Sequence, residues 1–216
     1  MIDRNPLQPS RVIHLFDQYR IDAWKTQNKY TYQKGEQVTY PHKLINDIYL
    51  IIEGDVRIFH IHQDGKECVL GILTAGDFID LPSVFTEQES DAYSIALTTV
   101  TVVKVSKKEI IEEVTSTPEL SYALLHHFSN QLREVVFILE QVAYDKVEER
   151  LVYILEKLID PTNEREGWYP LPPYLTHKDI AGMIASTRET VTFLINKLVQ
   201  NGILRNDQQR LWFKKV

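Results

Sequence analysis

Three glycines stand eleven residues apart, Gly54, Gly65 and Gly76, and each is followed by a charged residue, Asp55, Lys66 and Asp77. Gly35-Glu36 has the same form. Glycine at a tight turn supplies the positive φ that other residues reach only at a cost. Turns at this interval leave room for one short strand between them and none for a helix with its connections. The intervening runs agree: DIYLII (47–52), VRIFHIH (56–62) and, further on, SIALTTVTVVKV (94–105) are rich in the β-branched and aromatic residues that suit a pleated sheet. Residues 28–106 therefore read as an antiparallel β-sandwich or roll.

After Val105 the period changes, and residues 107–159 read as helical. Pro118 opens a long segment, a position where its missing N–H leaves nothing unpaired. Within it Leu125, Phe128, Leu132, Val135, Leu139 and Val142 alternate in steps of three and four. This narrow seam is that of a helix paired with a second copy of itself; a helix lying on its own domain shows a broader apolar stripe. A further helical segment from Val147 to Ile159 follows, and then DPTNEREGWYPLPP (160–173), polar and proline-rich, reads as a loop or hinge.

The segment LTHKDIAGMIASTRETVTFLINKLVQNGIL (175–204) reads as two helices joined by a tight turn. Thr176 can cap the first, and Ser186 or Thr187 the second. Ile180, Ile184, Val191, Leu194, Ile195 and Leu198 supply the buried faces, Ala181 stands where crossing helices need a small residue, and Gly202 ends the second helix. Ala185 occupies the turn, where glycine is common. The pattern is a helix-turn-helix, and RNDQQR (205–210) between two apolar pairs reads as a hairpin wing whose arginines reach a nucleic-acid backbone. The start of the second helix meets base edges in such a motif, which places Arg188, Glu189 and Thr192 there. Arg can bond guanine O6 and N7, and Glu can accept from cytosine N4. Thr176, His177, Lys178, Thr187, Thr190 and Lys197 are placed for phosphates, which fix position rather than sequence.

Charge supports this. The whole chain is at −6, but residues 171–216 carry +4 and residues 1–170 carry −10. A basic module on an acidic body suits a DNA-binding domain attached to a sensor or scaffold. Cys68 is the single cysteine, so neither an internal disulfide nor a cysteine-held cluster can form. MIDRNPLQPS at the start contains no apolar run, and no stretch is long and apolar enough to span a membrane. A cytoplasmic protein without cofactor, metal or catalytic residues is expected.

Taken together, KGEQVTY, IIEGDVRIF, DGKECVLGIL, GDFIDLPSVF, the heptad helix, VEERLVYILEKL and STRETV run in the order found in the cyclic AMP receptor protein/fumarate–nitrate regulator family. The chain resembles that family from about Lys34 to Phe213. The resemblance implies an α+β fold: a β-roll sensor-like domain over 1–117, a dimerisation helix over 118–145 and a winged helix-turn-helix over 146–216. It also implies a homodimer binding inverted repeats of double-stranded DNA, with RNA polymerase as a further partner and a β-roll that senses either a small-molecule, non-nucleotide effector or nothing. Arg188 and Glu189 match its base-reading positions, and the third, commonly Arg, is Phe193 here. The effector pocket would involve Asp80, Leu81, Pro82, Ser83, Ser90 and Asp91. Members that bind cyclic AMP use a glutamate on the ribose and an arginine on the phosphate; here these positions hold Leu81 and Ser90 or Asp91. No response to cyclic AMP is expected, because an aspartate repels a phosphate.

Two other readings are carried by single features. Gly54, His60, His62 and Glu67 resemble the first metal motif of cupins, since histidines at i and i+2 share a strand face. The further histidine a cupin site requires is missing downstream within the β region; the next histidines, His126 and His127, lie in the helical segment. Cys68 could instead gate a regulator through its thiol.

Overall fold

The computed structural model describes residues 12–41, 46–86, 90–207 and 210–215, so the opening MIDRNPLQPS lies outside the described residues. The fold is α+β, and the chain divides into two compact units: Met1–His60 with Leu70–Glu134, and Ile61–Val69 with Val135–Val216.

Helix α1 (Gln18–Lys25) precedes strands β1 (Lys29–Tyr32), β2 (Gln37–Thr39), β3 (Asp47–Glu53), β4 (Val56–Ile61), β5 (Glu67–Leu73), β6 (Phe78–Ile79), β7 (Tyr93–Ala96) and β8 (Val100–Ser106). They form two four-stranded sheets, β1-β8-β3-β6 and β2-β7-β4-β5. The run 94–105, continuous in sequence, is split by Leu97–Thr99 into strands of different sheets. The corner is held by Asp55 N–H donating to Thr98 Oγ1 (2.9 Å) and Leu97 N–H donating to the Asp55 carbonyl (2.8 Å).

Alternation along the strands explains the packing. Val100 and Val102 of β8 join Ile51, Val56, Ile79 and Ala96 in one core, and Val103 and Val105 join Ile48, Leu50, Trp24, Ile110 and Leu120 in another. The second core is anchored by Phe16, Trp24 and Phe78, whose ring centroids lie 5.0–5.7 Å apart in tilted and edge-on geometry, an arrangement aromatic quadrupoles favour.

Helix α2 (Lys107–Ser116) leads into α3 (Pro118–Tyr144), a helix of 27 residues and so about 40 Å long. α4 (Val147–Leu158) follows. The stretch expected to be only loop contains β9 (Trp168–Pro170), which pairs with β11 (Arg210–Lys214) beside β10 (Leu204–Asp207). A three-residue strand ending in proline has no periodicity to read, and it is tolerated because it lies at the sheet edge.

α5 (His177–Met183) and α6 (Arg188–Gln200) are the two expected helices. Thr176 and Asp179 form a reciprocal capping box, and Thr187, not Ser186, caps α6 by accepting from Thr190 N–H. Gly202 (φ 72°) closes α6: its N–H donates to the Val199 carbonyl and that of Ile203 to Leu198, the double bond of a Schellman end. Ala185 in the turn has φ 51°, the left-handed region that costs an alanine roughly 1–2 kcal/mol.

Two substitutions should move stability in opposite directions. Gly54→Ala combines φ 90° with a Cβ 2.3 Å from the Thr99 carbonyl oxygen, so it should lower the thermal midpoint sharply or prevent folding. Ala185→Gly should raise stability by about 0.5–1 kcal/mol in denaturant unfolding.

Candidate nucleic-acid interface and effector cavity

The first turn of α6 is built to be held still and left open. Val191, Leu194, Ile195 and Leu198 bury one side of the helix with Ile180, Ala181 and Ile184. The opposite side presents Arg188, Glu189 and Phe193, all exposed, with Phe193 at 68%. Positions one turn apart share a face, so Arg188 stacks with Thr192 and Glu189 with Phe193. Arg188 and Glu189 make no side-chain hydrogen bond or ion pair among the described residues.

Thr192 is more constrained than the sequence implies. Its hydroxyl donates to the Arg188 carbonyl (2.8 Å) and stands 2.8 Å from His177 Nδ1. With its one proton committed, Thr192 must accept, which puts the imidazole proton on Nδ1. Burial, and after it the nearby Arg188 guanidinium, lowers the His177 pKa below the usual imidazole value. His177 thus braces the first turn of α6 through Thr192.

The other phosphate candidates are distributed around this face. Thr176 and Thr187 serve as caps, and Thr187 and Thr190 hydroxyls are 3.0 Å apart. Lys197 pairs with Glu148 (2.7 Å) and Lys178 with Glu67 (2.7 Å). The Lys197–Glu148 pair is exposed on both sides and contributes about 0–1 kcal/mol, whereas Glu67 is more buried than its lysine partner. The wing arginines are engaged within the fold: Arg205 lies over Trp168 (4.6 Å) and Trp212 (5.2 Å), and Arg210 Nε donates to the Leu171 carbonyl (2.8 Å). Gln208 and Gln209 lie outside the described residues.

Along α3, Leu125, Leu132, Val135, Leu139 and Val142 are all exposed, between 39% and 66%. Phe128 differs, packing edge-on against Phe85 (5.9 Å) and against the helix-side core. Val136 (48%) and Phe137 (45%) add apolar surface that the step pattern omits.

Asp80, Leu81, Pro82, Ser83, Ser90 and Asp91 are brought together as lining of one cavity of about 420 Å³ in the first unit. Asp80 has φ 67° and starts the short turn Leu81–Val84. Burial raises its pKa, opposed by hydrogen bonds from Ser83 and Ser90 and by Lys107. Leu81 is buried. His60 lines the same cavity, while His62 is exposed beside Asp64 (3.3 Å). Among the described residues no group of three or more His, Cys, Asp or Glu side chains could hold a metal ion. Cys68 is exposed on β5, and no described helix is long and apolar enough to cross a membrane.

Residues 29–116 match the cyclic nucleotide-binding domain family and residues 149–215 the Crp-like helix-turn-helix domain family. The chain belongs to the cyclic AMP receptor protein/fumarate–nitrate regulator family. It is 26% identical over 174 residues to a cyclic AMP receptor protein of Thermus thermophilus, covering 81% of this chain and 78% of that protein. It is 25% identical over 188 residues to a global nitrogen regulator of Synechococcus elongatus, covering 83% and 82%. Among solved structures, a c-di-GMP-responsive global regulator of Xanthomonas campestris matches with a TM-score of 0.77 at 20% identity, over 93% of this chain and 100% of that one. A CRP/FNR-family transcriptional regulator of Thermus thermophilus matches with a TM-score of 0.68 at 26% identity, over 87% and 94%. The protein is thus a transcription regulator of the CRP/FNR type.

The state of His177 gives a pH signature. Its lowered folded pKa means the unfolded chain binds the proton more readily once pH falls below about 6.5, so stability declines on acidification through that point. His177→Asn keeps a donor for Thr192 but cannot titrate. Thermal midpoints measured from pH 7.5 to 5.5 should fall less steeply for this variant than for the parent.

Proposed function

We propose that this protein is a cytoplasmic, homodimeric, sequence-specific DNA-binding regulator that reads inverted repeats through α6 and does not respond to cyclic AMP. The observation that carries the reading is the first turn of α6, where Arg188, Glu189 and Phe193 are exposed on a helix whose caps and buried face are complete. Arg188 reads guanine, Glu189 accepts from cytosine, and Phe193 touches a thymine methyl instead of making a bidentate guanine contact. The ion pairs of Lys178 and Lys197 open to phosphates.

Two such helices enter successive major grooves when α3 pairs with α3 of a second copy. The exposed Leu132 and Leu139 support this, since isolated apolar residues at seven-residue spacing gain most from a facing helix. The cavity around Asp80 then serves as the effector site, and any effector acts by preferring the DNA-competent arrangement. RNA polymerase is the partner through which such a regulator acts. The absence of an arginine from the described cavity lining and the presence of Leu81 support indifference to cyclic AMP.

Selection of genomic DNA fragments by the purified protein, first without ligand and then with cell extract, should enrich an inverted repeat with half-sites about one helical turn apart. Arg188→Ala should weaken binding to the selected site by roughly 1–3 kcal/mol and relax preference at one base position; unchanged binding on every sequence would remove α6 from the bases.

Double substitution Leu132→Glu/Leu139→Glu should convert the dimer to monomer in sedimentation and reduce operator affinity in parallel. A dimer that survives both changes would locate the interface elsewhere.

A further inference from the structure

The effector-site reading leaves the chemistry of the ligand open, and the lining of the cavity narrows it. Its volume of about 420 Å³ lies in the range of sites for small organic molecules. Most of its wall is apolar, including Ile58, Leu70, Leu73, Phe78, Leu81 and Phe128. Its charged lining is acidic: Asp77, Asp80 and Asp91 all contribute, and among the described residues no lysine or arginine does. Asp80 has a left-handed backbone (φ 67°), and the Ser83 hydroxyl donates to its main-chain carbonyl (2.8 Å). A carboxylate accepts at up to about four lone-pair positions, so the Asp80 side chain has room for a ligand donor.

Anions are disfavoured here twice. They meet like charge, and no guanidinium or ammonium of the described wall compensates their loss of water. A cation has the opposite balance. It supplies counter-charge to Asp80, where burial outweighs the neighbouring Lys107, and the aromatic and aliphatic wall takes up its carbon skeleton. Resting on the effector-site reading above, we propose that this cavity binds a small primary amine with a compact apolar body, its ammonium group directed at Asp80 and Asp91. The site has thereby changed sign relative to one that holds a nucleotide phosphate.

The test uses the full-length protein and matched probes: phenethylamine, tryptamine and hexylamine against phenylacetate, indole-3-acetate and hexanoate, each titrated by calorimetry with thermal shift in parallel. At least one amine should bind and raise the melting temperature, while the paired carboxylate gives no signal. Asp80→Asn and Asp91→Asn should each weaken that amine at least tenfold. Asn tolerates the left-handed backbone at position 80, and operator binding by each variant reports that the fold is intact. Binding of a carboxylate as tightly as its amine, no amine binding, or amine binding unchanged in both variants would overturn the proposal. Ligand-free operator binding separates the two levels: intact DNA recognition without amine binding fails only this inference, and amine binding without DNA recognition fails only the regulator reading.

Discussion

Strand β8 is buried on both faces, and the first unit is organised around that fact. Val100, Val102, Val103 and Val105 are each fully excluded from water. Adjacent residues of a strand point to opposite sides, so two neighbouring buried valines demand cover on both. Val102 receives it from the facing sheet, and Val103 from α1, α2 and the start of α3. Removing either layer would expose a row of branched side chains at about 25 cal/mol for each Å². The strand also fixes β3, which pairs with it from Asp47 to Glu53 and in turn holds β6. The turn bearing Asp80 leaves directly from β6, so the cavity floor hangs from this doubly covered strand.

The second unit solves a different problem, since Arg188, Glu189 and Phe193 stand in water on a helix whose ends are satisfied. Both helices are capped at their starts by threonine, and α6 is closed at its end by Gly202. Each cap satisfies backbone groups that a helix end leaves unpaired. His177 then ties α5 to the first turn of α6 through Thr192. Arg188, Glu189 and Phe193 therefore project from a turn whose own hydrogen bonding is complete, and need not collapse onto it. Arg205, lying over Trp168 and Trp212, does the same for the wing by turning a cation to face aromatic rings.

Much of this was legible in the chain. The glycine interval, the β-branched runs and the heptad steps report local geometry directly, and each corresponds to an element with closely similar bounds. Signals weakened wherever a choice depended on a distant neighbour. The run 94–105 reads as one strand because nothing within it shows that Thr98 and Thr99 meet Gly54 and Asp55 at a corner. Trp168–Pro170 reads as loop because its pairing with β11 lies more than forty residues away. Phe128 matches the seam by spacing, yet a helix wheel cannot tell which neighbour an aromatic residue at the margin will meet, and here it is Phe85.

By itself the sequence determined the order of elements and the helix-turn-helix, with Arg188 and Glu189 at the start of its second helix. These follow from periodicity, caps and residue type, which act over a few positions. Tertiary structure decided which of two candidate caps starts α6, the tautomer of His177, the engagement of Lys178, Lys197 and Arg205, and the gathering of Asp80, Ser90 and Asp91 around one apolar cavity. Each of these depends on distances between groups far apart in the chain, and proton positions, ion pairs and cavities exist only once those distances are set.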